Sequence, residues 1–558
     1  MNEVQDLLRR IYGRKEAQIL ESKINALVDH WSEKVHNASA PLNEKDVVLI
    51  TYADQLQGPE ETPLRYLNHW LKTEWNDLIT AVHLLPFYPY SSDDGFSVID
   101  YKKVDPNCGS WIDIQELSND YRLIFDAVIN HISKESLWFS NYLNEKPGFE
   151  NYFIPFNPDF NSSKVVRPRT SPLFHKHASC DGFKKVWTTF SEDQIDLNFK
   201  NPEVLIRILD VLMFYLSQGA NILRLDAVGF MWKESGTSCI HLTQTHLLIK
   251  LMKLILHRLN PSVLLLTETN VPHQENISYF GNNDEADMVY NFTLPPLLAY
   301  SLLTQQIDPL CTWLKNLEIP FKDVCYFNFL ASHDGIGVRP LDGILHENQI
   351  DVLLQAALAN GGKVSYKKNP DGSETPYEIN SNYLSILFGV EGSSETAVKR
   401  FLLAHAFLLA MPGLPAIYLH SLIGSENDIR GMIDSGIPRR INRQKLNFES
   451  LTKELADESS QRYKLTQSIK ELMEIRKKEP AFNPYASFDV QCIQPELLKI
   501  RRKHEAKDQE VICFFHFGEG KTNLNLGANK TYTNLKTGRT VKGELPFGPY
   551  AFEWLKKG

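Results

Sequence analysis

The sequence predicts a (β/α)8 TIM barrel with inserted loop subdomains and a small C-terminal β-domain. Three observations lead there. Eight short apolar runs alternate with stretches of helical spacing. The runs are apolar almost throughout, as parallel strands covered on both faces must be. Two of the connections between runs are far longer than a βα loop requires.

Taken in order, residues 1–44 form a helical extension, with Val4, Leu7, Leu8 and Ile11 on one face, then Leu20, Ile24, Leu27, Val28 and Trp31. The strand candidates are Val47–Ala53, Ala81–Phe87, Leu123–Asn130, Asn221–Val228, Val263–Glu268, Met288–Phe292, Val324–Ala331 and Leu414–Leu419. They fall into barrel segments 45–131, 201–334 and 393–478. About 90 residues separate the third run from the fourth, and about 80 the seventh from the eighth. These gaps, rich in Pro, Gly, Asn and Ser, define inserted subdomains at 132–200 and 335–392, expected over the C-terminal face of the barrel. Residues 479–558 change to short alternating segments such as Leu498–Arg501 and Val511–Phe515, with turn clusters such as Gly518-Glu519-Gly520 between them. That pattern is a β-domain.

Composition narrows the class of partner. The chain has 558 residues, 43% of them hydrophobic, enough for a large core. Its net charge of −9, from 59 basic and 68 acidic residues, argues against a nucleic-acid partner but leaves room for a small anion held by local cations. Seven cysteines are scattered without Cys-x-x-Cys pairs, which predicts reduced thiols with neither a zinc site nor a disulfide framework. The first ten residues have no apolar signal core, and no stretch is long and apolar enough to span a bilayer. A soluble, cytoplasmic protein without a membrane partner is expected. Nothing in the sequence fixes an oligomeric state.

The chemistry concentrates where the runs end. The third run leads to Asn130-His131, the fourth carries Arg224-Leu225-Asp226, the fifth ends at Glu268, and the seventh is followed by His333-Asp334. In a barrel, these positions share the C-terminal face, where catalytic groups sit. A buried carboxylate is costly unless paired, so packing alone does not collect three of them. Arg224 two residues before Asp226 favours an ionised Asp226, as a carboxylate nucleophile requires. Singly, Arg224–Asp226 also reads as an ion pair capping a strand, and His131 or His333 as a core histidine.

Strand ends of this form resemble the four signature regions of the α-amylase family of retaining glycosidases and transglycosylases. Further segments, among them Ser91–Tyr101, Arg167-Pro-Arg-Thr170, Phe190–Gln194, Asp226–Ser238, Leu294–Leu297 and Arg439-Arg-Ile-Asn-Arg443, resemble its sucrose phosphorylase subfamily. The resemblance implies Asp226 as nucleophile, Glu268 as acid/base and Asp334 as the third carboxylate. It places His131, His333, Arg224 and Gln194 around a glucosyl unit, with Asp93 and Arg439 closing the pocket beyond it. It also makes Arg169 a phosphate contact. Arg167 nearby and Tyr377 in the second insertion join it as candidates. Phe96 and Phe230 are read as stacking on the sugar, with wall packing as the alternative. No cofactor and no metal are expected.

The acceptor is read from departures. Sucrose phosphorylases place histidine two positions after the acid/base, whereas this chain has Asn270. The run Thr267-Glu-Thr-Asn-Val-Pro-His273 and the N-terminal extension resemble the branch that acts on glucosylglycerate. Phosphorolysis of that sugar is the expectation. Sucrose phosphorylase and sucrose 6′-phosphate phosphorylase are the alternatives, followed by a hydrolase or transglucosylase and by a non-catalytic binding barrel.

Overall fold

A computed structural model describes residues 3–35, 39–368, 373–527 and 530–557. Eight strands close into a parallel barrel: β1 (Val48–Thr51), β2 (Ala81–Leu84), β3 (Arg122–Ala127), β4 (Ala220–Leu225), β5 (Leu264–Thr267), β6 (Met288–Tyr290), β7 (Cys325–Asn328) and β8 (Leu414–Tyr418). Each pairs with its neighbours in chain order, and β8 closes onto β1 through Val48–Ala416 to Ile50–Tyr418. Every expected run contains or overlaps its strand, and the strands are buried nearly throughout. That is why their sequences lack alternation.

Local signals set the helices between them. Asn201 caps Pro202–Ser217 by accepting from the Glu203 amide (3.1 Å), with Pro202 at the first helical position. Gly219, at φ 104°, turns the chain into β4, a conformation that favours glycine. Ser393 and Ser460 cap Ser394–Ala410 and Gln461–Arg476 in the same manner.

The N-terminal helices Glu3–Tyr12 and Arg14–Ser32 pack on the outer helices Pro202–Ser217 and Thr243–Leu259. They bury Val4, Leu7, Leu8, Leu20, Ile24 and Trp31 in the common core, and the Trp31 indole donates to Asp210 (2.9 Å). The first insertion contributes two small antiparallel pairs, His131–Ser133 with Gln194–Asp196 and Phe174–Ser179 with Gly182–Trp187. The second contributes a three-stranded sheet of Ile336–Gly337, Glu374–Asn380 and Lys363–Lys368. Beyond the barrel, the C-terminal strands form a six-stranded antiparallel sheet and a separate pair.

One expectation fails here. Cys311, on helix Asp308–Lys315, is paired with Cys492 on strand Ser487–Gln494, with the Cα atoms 6.4 Å apart. The partners are 181 residues apart, and only the packing of the C-terminal sheet on that helix brings them together. Cys108, Cys180, Cys239, Cys325 and Cys513 are free.

Candidate active site

A cavity of about 80 Å³ opens at the C-terminal end of the barrel, and all three candidate carboxylates, Asp226, Glu268 and Asp334, line it. Twelve further candidates were named from sequence or resemblance around it. Asp93, Phe96, His131, Arg169, Gln194, Asn270, His333, Tyr377 and Arg439 line the same cavity. Arg224 lies beneath it, in contact with Asp226. Phe230 lies in an adjoining cavity. Arg167 is exposed to solvent and absent from the lining, which corrects its reading as a phosphate ligand. Of the two arginines in the Arg-Pro-Arg segment, Arg169 lines the cavity and Arg167 does not.

Arg224 is the electrostatic centre. Its guanidinium pairs with Asp126 on β3, which in turn holds His83 of β2 (2.8 Å). The same Nη1 donates to Asp226 Oδ1 (2.9 Å), and Nη2 lies 4.0 Å from Glu268 Oε2. The sequence has Arg224 favouring an ionised Asp226. In the structure, burial outweighs that one cation, which is shared with Asp126, and the anions Asp126 and Asp334 add to the effect. Asp226 is pushed up to about 7. Glu268 is also pushed up to about 7, by burial and by the nearby Asp226 and Asp334. The two titrate as a pair. The closer guanidinium contact favours the anion on Asp226 and leaves the proton to Glu268, the arrangement a retaining mechanism needs.

Backbone geometry fixes Glu268. Ala227 adopts φ 48°, in the left-handed region that an L-residue occupies at a cost, and its N–H donates to Glu268 Oε2 (3.0 Å). Strain one residue after Asp226 thus orients the neighbouring carboxyl. Asp93 and Asp94, at φ 49° and 50°, are a second strained pair at the rim.

On the wall of the cavity beside Phe96, His131 Nε2 and Gln194 Nε2 both meet the carbonyl of Phe96 (2.8 and 3.0 Å). Pairing of His131–Ser133 with Gln194–Asp196 brings those two side chains together. The Phe96 ring stacks on His333 at 4.7 Å. Burial pushes both imidazoles below their ordinary value, so they are neutral at pH 7 and able to hydrogen-bond without adding charge.

The far end is a clamp richer than the expected Asp93–Arg439 pair. Arg439 approaches Asp93 only to 3.8 Å. Its close partners are Asp334 (2.7 Å) and Glu378, held by two hydrogen bonds of 3.0 and 2.7 Å. Arg443 lies 3.5 Å from Asp93, pairs with Asp94 (2.8 Å) and donates to the His333 carbonyl (2.8 Å). Asn442 donates to the carbonyls of Ser332 and Asp334 (3.1 and 3.0 Å). The segment Arg439-Arg-Ile-Asn-Arg443 therefore pins the loop after β7 as well as facing the cavity. Sequence reasoning missed Glu378, Arg443 and Phe190, which also lines the cavity. The signal for Glu378 was an acid inside the strand-like Tyr377-Glu-Ile-Asn380.

Among the described residues, one trio of ligand-type side chains converges, Glu145, Cys180 and Asp181, all exposed and outside this cavity.

Residues 77–336 match the model of the alpha amylase catalytic domain. The chain is 45% identical to glucosylglycerate phosphorylase of Escherichia coli (strain K12) across 92% of either chain. It is 43% identical to glucosylglycerate phosphorylase of Spirochaeta thermophila, covering 92% of this chain and 89% of that one. Among solved structures, sucrose 6F-phosphate phosphorylase from Thermoanaerobacter thermosaccharolyticum superposes with a TM-score of 0.76 at 25% identity, across 92% of this chain and 99% of that one. The chain belongs to the alpha-amylase family, in the branch of glycoside phosphorylases that holds the glucosylglycerate phosphorylases.

Proposed function

We propose that the protein cleaves 2-O-α-D-glucosyl-D-glycerate with inorganic phosphate, giving α-D-glucose 1-phosphate and D-glycerate with net retention. The observation that carries the reading is the meeting of Asp226 and Glu268 over one guanidinium, in a cavity closed at one end by Arg439, Asp334 and Glu378. The kinship with glucosylglycerate phosphorylases supports the choice of sugar.

Asp226 attacks the anomeric carbon while Glu268 gives its proton to the departing glycerate oxygen, leaving a β-glucosyl ester on Asp226. Asp334 and the neutral imidazoles hold the glucosyl hydroxyls as the ring flattens. Glycerate leaves and phosphate takes its place on the same side. Attack by dihydrogen phosphate on the anomeric carbon returns the proton to Glu268 and frees Asp226. Arg169, 32% exposed at its side chain, lines the cavity of Asp226 and Glu268 and is placed to meet phosphate there, with Glu378 4.0 Å away and Tyr377 beneath its guanidinium. Among the described residues no helix is long and apolar enough to cross a membrane.

The test is glucose 1-phosphate release, with and without phosphate, from glucosylglycerate, glucosylglycerol, sucrose and sucrose 6′-phosphate in parallel. Phosphate-dependent release chiefly from glucosylglycerate is expected. Release chiefly from sucrose 6′-phosphate would move the reading to the activity named for the superposed structure, and free glucose regardless of phosphate would make the protein a hydrolase.

A sharper expectation concerns Glu268→Gln. Glycerate needs a proton to leave, so cleavage of glucosylglycerate should slow about 10²- to 10⁴-fold. Phosphate departs from glucose 1-phosphate already anionic, so arsenolysis of that ester should fall far less. Equal losses on both substrates would remove Glu268 from the acid role.

A further inference from the structure

A second cavity, of about 60 Å³, adjoins the first and shares Phe190, Ala227, Glu268, Asn270 and Tyr377 with it. Asp93, His131, His333, Asp334 and Arg439 line only the first. Glu268 therefore stands between a glucosyl chamber and a smaller one on its other side. A general acid must face the oxygen it protonates, so the leaving group belongs in the smaller chamber.

Two polar groups in that chamber lack partners. Arg339, half-buried on the turn Arg339–Leu341, is its only cation, and Glu268 is its only acid. Among the described residues, the Arg339 guanidinium makes no hydrogen bond or ion pair; Asp342, whose N–H donates to the Arg339 carbonyl (3.0 Å), feels that charge without a side-chain pairing. Arg224, Arg439 and Arg443 each hold at least two carboxylates instead. The second group is Asn270, whose Oδ1 is buried without a partner. Strand Ile336–Gly337 presses on this amide, since a Cβ at Gly337 would come within 2.6 Å of its Nδ2. Glycine there lets the backbone and the amide lie in contact. A buried polar atom left unmatched is costly, and a half-buried guanidinium without an anion is poised to bind one.

We propose that Arg339 and Asn270 are the specificity-determining pair of the acceptor site, Arg339 taking the carboxylate of D-glycerate and Asn270 its terminal hydroxyl. This rests on the reading of glycerate as leaving group. Three substituents of one carbon are then fixed at once: the ether oxygen at Glu268, the carboxylate at Arg339 and the hydroxymethyl group at Asn270. Such a three-point hold selects the D-acid over the L-acid, and the charge selects glycerate over glycerol.

Synthesis from glucose 1-phosphate with D-glycerate, L-glycerate or glycerol as acceptor tests it. Arg339→Gln should raise the KM for D-glycerate at least tenfold more than that for glucose 1-phosphate, and should collapse the preference over glycerol. Arg339→Lys should recover part of that preference, and Asn270→Ala should erode D over L. Arsenolysis of glucose 1-phosphate, which needs no glycerate, reports whether each variant is folded and competent. An unchanged KM for D-glycerate overturns the proposal. A parallel rise for glucose 1-phosphate does so too, by making Arg339 a phosphate ligand. A parent enzyme that rejects glycerate but accepts another small acid sinks the substrate reading alone, and the same ratio, measured with that acid, then decides for or against Arg339. Use of neutral acceptors only sinks both.

Discussion

Phosphorolysis by an Asp226→Asn variant is expected to fall by about 10⁴-fold or more, while the protein stays folded. An amide of the same shape keeps the place of Asp226 beside Arg224, which retains Asp126 as its counter-ion, but it has no anionic oxygen to attack the anomeric carbon. The variant should also separate catalysis from stability. Burial pushes Asp226 up to about 7. A carboxyl raised in the folded state contributes stability that is full below its unfolded value, near 3.9, and is lost as pH rises through about 7. Asparagine carries no charge to desolvate, so the variant should melt higher than the parent above pH 7, with the gap closing toward pH 4. Thermal melts from pH 5 to 9 beside single-turnover assays check both halves. Retained turnover would remove Asp226 as nucleophile, and a lower melting temperature at pH 8 would mean that its anion holds the fold together.

What the sequence disclosed and what it withheld divide along a physical line. The barrel was legible because each of its strands is buried on both faces and leaves a run of apolar residues, as in Ala220–Leu225. Asp226, Glu268 and Asp334 were legible because each lies at or within a few residues of the end of such a run, so that strand direction places them at one end. Glu378, Arg443 and Arg339 come from connections whose course is set by contacts hundreds of residues away or by pairing within the insertion. Glu378 reaches the site because Ile336–Gly337 pairs with Glu378–Ile379, and Arg443 because Asp94 and the His333 carbonyl hold it. No local pattern encodes those meetings. The same limit hid the Cys311–Cys492 pair and made Arg167 look equivalent to Arg169, two residues on, although only one of them lines the cavity.

The clamp is where removing one side chain should cost most stability. Arg439 sits between Asp334 and Glu378, with side chains 16%, 26% and 3% exposed. Arg439, with Arg443 and Arg224 behind it, holds Asp334 below the usual carboxylate range against the opposing effect of burial. Arg439 and Arg169 do the same for Glu378. Replacing Arg439 with methionine keeps the aliphatic bulk and strands two carboxylates, a class of change that costs about 3–5 kcal/mol. Depressed carboxyls contribute stability that is present above their unfolded values, near 3.9 and 4.3, and is lost as pH falls. Without the guanidinium that contribution disappears, so the deficit should be largest at pH 7–8 and should shrink on acidification as the stranded acids take up protons. Activity should fall roughly 10²-fold or more, because Asp334 loses the cation that orients it toward the sugar. Adding Glu378→Gln removes one of the stranded charges. The double variant should regain more than half of the lost stability in urea unfolding at pH 7.5 and none of the lost activity. Full recovery of activity would show that the clamp is only structural. No recovery of stability would show that Arg439 acts through its packing, with Asp334 held by Arg443 and Glu378 by Arg169.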